Sequence, residues 1–272
     1  EPPLIQTLTC PTLYDDGQQC AKWRTRRRER DRMSRKALIT WGGWDGHQPQ
    51  QVAELFRTIL ENDGMEVEFH DTMDCLDDAE HLKSLDLIVP VWTMSQIEKQ
   101  RAVNVSEAVA HGAGIAGCHG GMCDAFRDNV LWQFMTGANW VAHPGGDGID
   151  YTVNIVDKLS PLTEGLSDFA VKSEQYYLHV DPAVHVLATT EFPTFNWYHT
   201  PNGKVQMPVA WTKRWGMGRV YYNALGHHAD VIDHGTPLEM LTRGLIWASH
   251  GRKVAVAAGE RYEDYASVGN HY

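Results

Sequence analysis

The sequence predicts an α/β domain built on a doubly wound, mainly parallel sheet, and three observations lead there. Between residues 37 and 135, short apolar runs alternate with amphipathic stretches of helical period, joined by short connections. The run Leu87-Ile88-Val89-Pro90-Val91-Trp92 is apolar throughout, which suits a strand covered on both faces. At 272 residues, 43% hydrophobic and 22% charged, the chain is long and apolar enough for one domain with a full core.

Residues 37–41 read as the first strand, and 48–62 as a helix with Val52, Leu55, Phe56, Ile59 and Leu60 on one face. Gly64 ends that helix. A strand over 65–70, a short helix near 77–85 and the apolar strand 87–92 follow. A helix over 95–111 leads to a fourth strand at 114–118, and another helix spans 122–135. Strands and helices alternating this closely imply right-handed crossovers and parallel strands. The second half changes character. Residues 151–156, 170–172, 184–190, 207–212 and 219–223 read as strands with fewer helices between them, and 215–219 as the turn joining the last two. A helix over 237–249 closes the domain.

Several partners are not expected. No apolar run approaches the ~20 residues of a membrane helix. With 24 basic against 35 acidic residues the net charge is −11, which repels a phosphate backbone, so no nucleic acid is expected. The five cysteines (10, 20, 75, 118 and 123) are scattered, odd in number and without a C-x-x-C pair. They point to a reducing compartment, and a cytoplasmic location is expected. Residues 1–32 lack hydrophobic periodicity and finish in a basic run carrying six arginines between Arg24 and Arg32. They read as an extension of vector or upstream origin, with Met33 as the natural start and a basic arm for an acidic partner as the alternative. The domain is expected over 33–252. Residues 253–272, rich in Ala, Gly and Tyr, read as a tail that crosses the surface or reaches a neighbouring subunit of a homo-oligomer.

Open parallel sheets bind ligands beyond the C-terminal ends of their strands. The first strand runs into Trp41-Gly42-Gly43-Trp44-Asp45-Gly46-His47, the third into Trp92-Thr93, the fourth into Cys118-His119, and the last into Gly226-His227-His228. A single buried histidine is more often a satisfied core group. Three delivered by separate strands to one edge point to a shared site. Gly43 is expected to let the backbone approach a ligand, and Trp41, Trp44 and Trp92 to stack on sugar faces, with ordinary packing as the alternative. Neither G-x-G-x-x-G nor a Walker sequence is present, so no nucleotide cofactor is expected.

A strand running into Gly117-Cys118-His119-Gly120-Gly121 and then a helix has the layout of a nucleophile elbow. Two registers are open. With Cys118 at the apex, Cys118-His119-Gly120 resembles the Cys-His-Gly of the DJ-1/PfpI group. With His119 at the apex, Gly117-x-His119-x-Gly121 resembles the elbow of class I glutamine amidotransferases with histidine in place of the nucleophilic cysteine. The second register fits a wider set: Trp41-Gly-Gly…His47, Trp140-x-x-His143-Pro144, Glu174-Gln-Tyr-Tyr177, Pro208-Val-Ala-Trp211 and Gly218-Arg-Val-Tyr-Tyr-Asn-Ala-Leu-Gly-His227. Over about residues 36–250 this set resembles the ThuA family of the class I glutamine amidotransferase-like superfamily, whose members are linked to use of trehalose and related sugars. Two positions depart from it. His47 follows Trp44-Asp-Gly where a Gly-His run is commoner, and Cys118 directly precedes the elbow histidine.

The resemblance implies a flavodoxin-like three-layer sandwich and a role in carbohydrate metabolism, with a small-molecule sugar as substrate. It favours His227 over His228, and it adds Tyr177 and Trp211 to the substrate contacts. Glutaminase activity is not expected, because Gly-x-Cys-x-Gly is absent and His228-Ala-Asp230 only mimics the late His-x-Glu. Two functional classes remain. The first is a metal-assisted hydrolase, lyase or isomerase acting on a glycoside or keto-sugar. It would have His47, His119 and His227 as ligands of zinc or another divalent ion, His119, Glu174 and His227 as catalytic groups, and Glu174 as fourth ligand or general base. Tyr176, Tyr177 and His179 are secondary candidates. The second class is a non-catalytic sugar-binding or regulatory module. A Cys118-dependent hydrolase is a third possibility.

Overall fold

The computed structural model describes residues 35–266, so the extension expected over 1–32 lies outside the described residues. Strand β1 (Lys36–Gly43) buries Ala37 to Thr40 and leads through a one-turn helix at Asp45–His47 to α1 (Pro49–Asn62). Pro49 opens α1, where its fixed φ suits the first turn and its missing N–H is not needed. The helix buries Val52, Ala53, Phe56, Ile59 and Leu60, each contributing up to ~1.5–3 kcal/mol for the larger side chains. Next come β2 (Glu66–His70), α2 (Ala79–Ser84), β3 (Leu87–Thr93), α3 (Lys99–Ala110) and β4 (Gly114–Cys118). β3 is buried from Leu87 to Val91 and β4 throughout, as strands covered on both faces must be.

The helix expected over 122–135 is instead two, α4 (Gly120–Cys123) and α5 (Val130–Thr136). The break has a local cause. The Asn129 side chain accepts from the Trp132 N–H and caps α5, a start signal inside the supposed helix. The chain continues through β5 (Ala138–Ala142), β6 (Ile149–Ile155), β7 (Phe169–Ser173), β8 (Tyr177–Val180), β9 (His185–Phe192), β10 (Val205–Trp215) and β11 (Gly218–Asn223). It closes with α6 (Gly235–Ser249) and α7 (Gly251–Ala257). β5 and β8, unmarked by any strand pattern in the sequence, pair antiparallel as a separate two-stranded sheet.

Nine strands form the main sheet in the order β2-β1-β3-β4-β11-β10-β9-β6-β7. β2, β1, β3, β4 and β11 run parallel. The change of character in the second half is an antiparallel extension through β10, β9, β6 and β7. Helices α1 and α6 pack together on one face, and α2, α3 and α5 on the other, giving three layers. The order reverses between β1 and β3, and ligands are expected outside that switch point.

Residues after 253 are not an aperiodic tail as far as they are described. α7 carries the helix to Ala257, and a one-turn helix at Tyr262–Asp264 lays the Tyr262 ring on His111 at 3.6 Å. The Tyr262 hydroxyl donates to Glu107 at 2.8 Å, so this segment crosses the surface. Among the described residues, no helix is long and apolar enough to cross a membrane.

Candidate metal centre

His119 stands at the turn between β4 and α4 with φ +47 and ψ −132, a conformation few side-chain-bearing residues adopt. Three contacts hold it there. Its N–H donates to the Asn223 carbonyl at 2.7 Å, and its own carbonyl accepts from the Tyr222 hydroxyl at 3.0 Å. Its ring stacks on Tyr176 at 4.0 Å, with Nδ1 3.1 Å from the Tyr176 hydroxyl. Gly120 is needed beside it, since a Cβ there would lie 2.5 Å from His47 Nδ1. The apex of the elbow is therefore His119. Cys118 precedes it, fully buried against Gly226, and burial pushes its thiol up to about 12.

Three further groups converge on His119. His47 arrives after β1, Glu174 directly after β7, and His227 four residues after β11. Their rings pack edge to face, with His47 4.7 Å from His119, 5.0 Å from His227, and His119 5.4 Å from His227. Glu174 Oε2 sits among them, 3.3 Å from His119 Nε2, 3.4 Å from His227 Nδ1 and 4.0 Å from His47 Nε2. One donor atom from each of the four lies within 4.8 Å of all the others.

All four side chains are buried, and His119 Nε2, His227 Nδ1 and Glu174 Oε2 have no hydrogen-bond partner. Orphaned buried polar atoms are costly, on the order of 1–3 kcal/mol each, so three facing one point call for an occupant. The far side of each ring is provided for. His47 Nδ1 lies 3.0 Å from Thr93 Oγ1, His119 Nδ1 meets Tyr176, and His227 Nε2 lies 3.9 Å from Asp147 Oδ2. A proton on the outer nitrogen of His47 and His119 leaves the inner one free as a lone-pair donor. Three imidazoles and one carboxylate fit a divalent ion such as zinc in both donor type and number.

The protonation states agree with this. Burial, reinforced by the neighbouring imidazoles, lowers His47 to about 2. Burial lowers His119 to about 4, only partly opposed by Glu174. Burial also works against charge on Glu174, but His119, His227 and His143 outweigh it and hold the carboxyl well below its usual range. His47 and His119 are thus neutral imidazoles beside an ionised carboxylate. A stability prediction follows for the metal-stripped protein. His47 and His119 take up protons in the unfolded chain below about 6.5 but not in the folded one, so stability is full above that pH and falls as pH drops toward 4. Each contributes about 1.4 kcal/mol per pH unit in that window, and Glu174 adds the same sign only below about 4.5. Urea midpoints at pH 7 and pH 5 check it, and a midpoint that rises on acidification contradicts the assigned states.

Several expected contacts lie elsewhere. Trp211 is fully buried, its ring tilted against Tyr222 at 4.4 Å with Nε1 donating to the Thr136 carbonyl at 3.2 Å, so it is a core residue and not a sugar contact. Tyr177 points away from the cluster into Phe192 and His199, because adjacent residues of an extended segment face opposite ways, and the residue at the cluster is Tyr176. Trp41 packs on Phe69, and Trp92 donates to Thr40 Oγ1 with its ring across Gly42. Gly43 answers a crowded backbone rather than a ligand: at φ +87 its Cβ would lie 2.3 Å from the Thr93 carbonyl. Trp44 does reach the cluster, half exposed and 4.8 Å from His47. His179 is exposed on β8, and the His228 ring lies tilted against His227 at 4.1 Å.

Sequence reasoning left out His143 and Asp147 as site residues. His143 Nε2 lies 3.7 Å from Glu174 Oε1, and Asp147 backs His227. The signal for His143 was present in Trp140-x-x-His143, and its ring sits 5.4 Å from Trp140.

Comparison with solved structures identifies the fold. A ThuA-like protein from Bacteroides uniformis is 19% identical with a TM-score of 0.63, covering 79% of this chain and 91% of that one. A second, from Parabacteroides merdae, is 20% identical with a TM-score of 0.60, covering 80% and 90%. A β-galactosidase from Bacillus circulans also matches at a TM-score of 0.53 and 13% identity, but over only 32% of its own length. No curated protein matches the sequence. The family model for ThuA, described as trehalose utilisation, matches residues 36–248, which is most of the sequence; the chain belongs to the ThuA family.

Proposed function

We propose that this ThuA-family protein is a metal-dependent enzyme acting on a glycoside or its keto form, by hydrolysis, elimination or isomerisation. The observation that carries the reading is the set of three orphaned donor atoms, His119 Nε2, His227 Nδ1 and Glu174 Oε2, facing one point with His47 beside them. A divalent ion held there supplies a Lewis acid for a carbonyl or hydroxyl oxygen. Thr93 and Tyr176 fix the tilt of His47 and His119 from behind, and Asp147 lies 3.9 Å behind His227. Glu174, kept ionised among imidazoles, serves as a ligand in preference to a general base. His143, partly exposed on the other Glu174 oxygen, is placed to pass a proton between a sugar hydroxyl and water. Trp44, half exposed at the mouth, offers a ring face to a sugar.

The reading excludes glutaminase chemistry, since the elbow apex carries an imidazole and the adjacent thiol is buried. Cys118→Ser is accordingly expected to keep most of the turnover. A fall in kcat of more than about a hundredfold, roughly 2.7 kcal/mol on the barrier, contradicts that and reinstates the thiol. The test of the whole reading is a screen of glycosides and their 3-keto forms, with and without chelator. Turnover that chelator abolishes supports it. Tight sugar binding by a metal-free, inactive protein would make this a sugar-binding module instead.

A further inference from the structure

We infer that the chain carries a second divalent-ion site, formed by Asp147, His227 and His228, with the His227 ring shared between it and the inner cluster; this rests on reading that cluster as a metal centre. His227 has a carboxylate on each side. Its Nδ1 lies 3.4 Å from Glu174 Oε2, and its Nε2 lies 3.9 Å from Asp147 Oδ2. The outer gap is too long for a hydrogen bond. It is close to the ~3.3–3.6 Å between two ligands of one tetrahedral ion with bonds of about 2.0–2.2 Å. The His228 ring lies 4.1 Å from the His227 ring, and one donor atom from each of the three residues lies within 4.8 Å of the other two.

Two connections deliver these groups. The chain leaving β11 carries His227 and His228, and the loop from β5 to β6 carries Asp147 between Gly146 and Gly148, both at positive φ. The Gly148 N–H donates to Asp147 Oδ1 at 2.7 Å, which leaves Oδ2 facing the imidazole. Two imidazoles and one carboxylate suit zinc or another first-row transition ion, and not magnesium or calcium, which prefer oxygen. Three protein ligands leave coordination positions free, the pattern of catalytic zinc rather than structural zinc. Those positions open outward, because Asp147 is exposed, His228 is half-buried, and both line a cleft of about 520 Å³. The other titratable groups of that cleft are Asp230, His234 and Lys172. With Asp147 counted, two carboxylates stand against one ammonium, and both imidazoles are donors to such an ion. Binding of the outer ion releases the His227 Nε2 proton to solvent and leaves the ring as a bridging imidazolate. Two ions so joined stand about 6 Å apart, the ring nitrogens being separated by ~2.2 Å and each bond adding about 2 Å. That exceeds the ~3.5–4 Å at which two ions clamp one reacting group, so the outer ion takes its own ligand from the cleft.

The test is calorimetric titration of the chelator-stripped full chain with zinc. Two ions per chain are expected, the outer bound about a hundredfold weaker than the inner, which has a fourth ligand and lies buried. Asp147→Ala and His228→Ala are each expected to abolish the outer ion and keep the inner one; neither position is buried, and a thermal melt verifies folding. Loaded with copper instead, the wild type is expected to show the spin coupling of two ions joined through one ring in its electron paramagnetic resonance spectrum. Both variants are expected to show an isolated copper. One ion per chain in the wild type, a second ion retained in both folded variants, or two uncoupled coppers in the wild type each overturns the inference. The two readings fail separately. Two coupled ions without turnover refute the chemistry alone, and one inner ion with chelator-sensitive turnover refutes the outer site alone.

Discussion

Replacing His119 with alanine is expected to strip the divalent ion and lower turnover by about a thousandfold or more, some 4 kcal/mol on the barrier, without unfolding the domain. The side chain contributes the inner nitrogen nearest to Glu174, at 3.3 Å, and sits 4.7 Å and 5.4 Å from the other two rings. Alanine keeps the Cβ, so the strained backbone at φ +47 gains no new clash, and the bonds from Asn223 and Tyr222 to its backbone survive. Removing an unpaired buried nitrogen also relieves a polar group that the metal-free fold leaves unsatisfied. Against that, the variant loses the stack on Tyr176 and leaves the Tyr176 hydroxyl without its partner, so a net destabilisation of about 1–3 kcal/mol is expected, too little to unfold the domain. Tyr176→Phe is the milder companion, leaving the ligand but not its anchor, with an expected loss of about 10–100-fold in metal affinity. Elemental analysis and thermal melts of both variants check this. A His119→Ala protein that retains its ion contradicts it.

Trp211→Ala has the opposite profile: a loss of about 3–5 kcal/mol in stability, with the metal kept by the molecules that remain folded. Trp211 is fully buried on β10, and its ring lies on Tyr222, the residue that holds the His119 carbonyl. Alanine leaves a large cavity and orphans the Thr136 carbonyl that accepts from the indole. Denaturant unfolding measures the loss. Unchanged stability with weakened sugar binding would instead make Trp211 a substrate contact.

These two residues also show what the sequence could and could not disclose. His47, His119 and His227 were legible because each lies a few residues past a strand with a strong apolar signal, and the switch-point rule turns strand ends into a site. Glu174 was legible for the same reason, although its strand belongs to the antiparallel extension. His143 and Asp147 follow β5, a short Ala-Asn-Trp-Val-Ala strand whose burial does not alternate and which pairs only with the equally short β8. No local pattern marks such a strand, so His143 was marked only by the Trp140-x-x-His143 motif and Asp147 by nothing. The aromatic residues failed differently. A strand fixes which residues share a face but not which face meets the site, so Tyr176 and Tyr177 could not be separated before the register was known. Trp211 lies in a run of five buried residues, Val209 to Lys213, where hydrophobicity marks the core and says nothing of a ligand. The glycines at the end of β1 misled for a related reason. A positive φ at Gly43 is real, but its cause is the neighbouring strand, a long-range contact that the sequence does not record.

On the proposed function, His47, His119, Glu174 and His227 together hold one divalent ion. The most direct test is an anomalous-difference map from crystals of the full chain grown with zinc, collected on both sides of the zinc edge. One strong peak is expected within bonding distance, about 2.0–2.2 Å, of His119 Nε2, His227 Nδ1 and Glu174 Oε2, with His47 Nε2 completing the set. A map with no peak among these four side chains, or with zinc bound only at the protein surface, would contradict it.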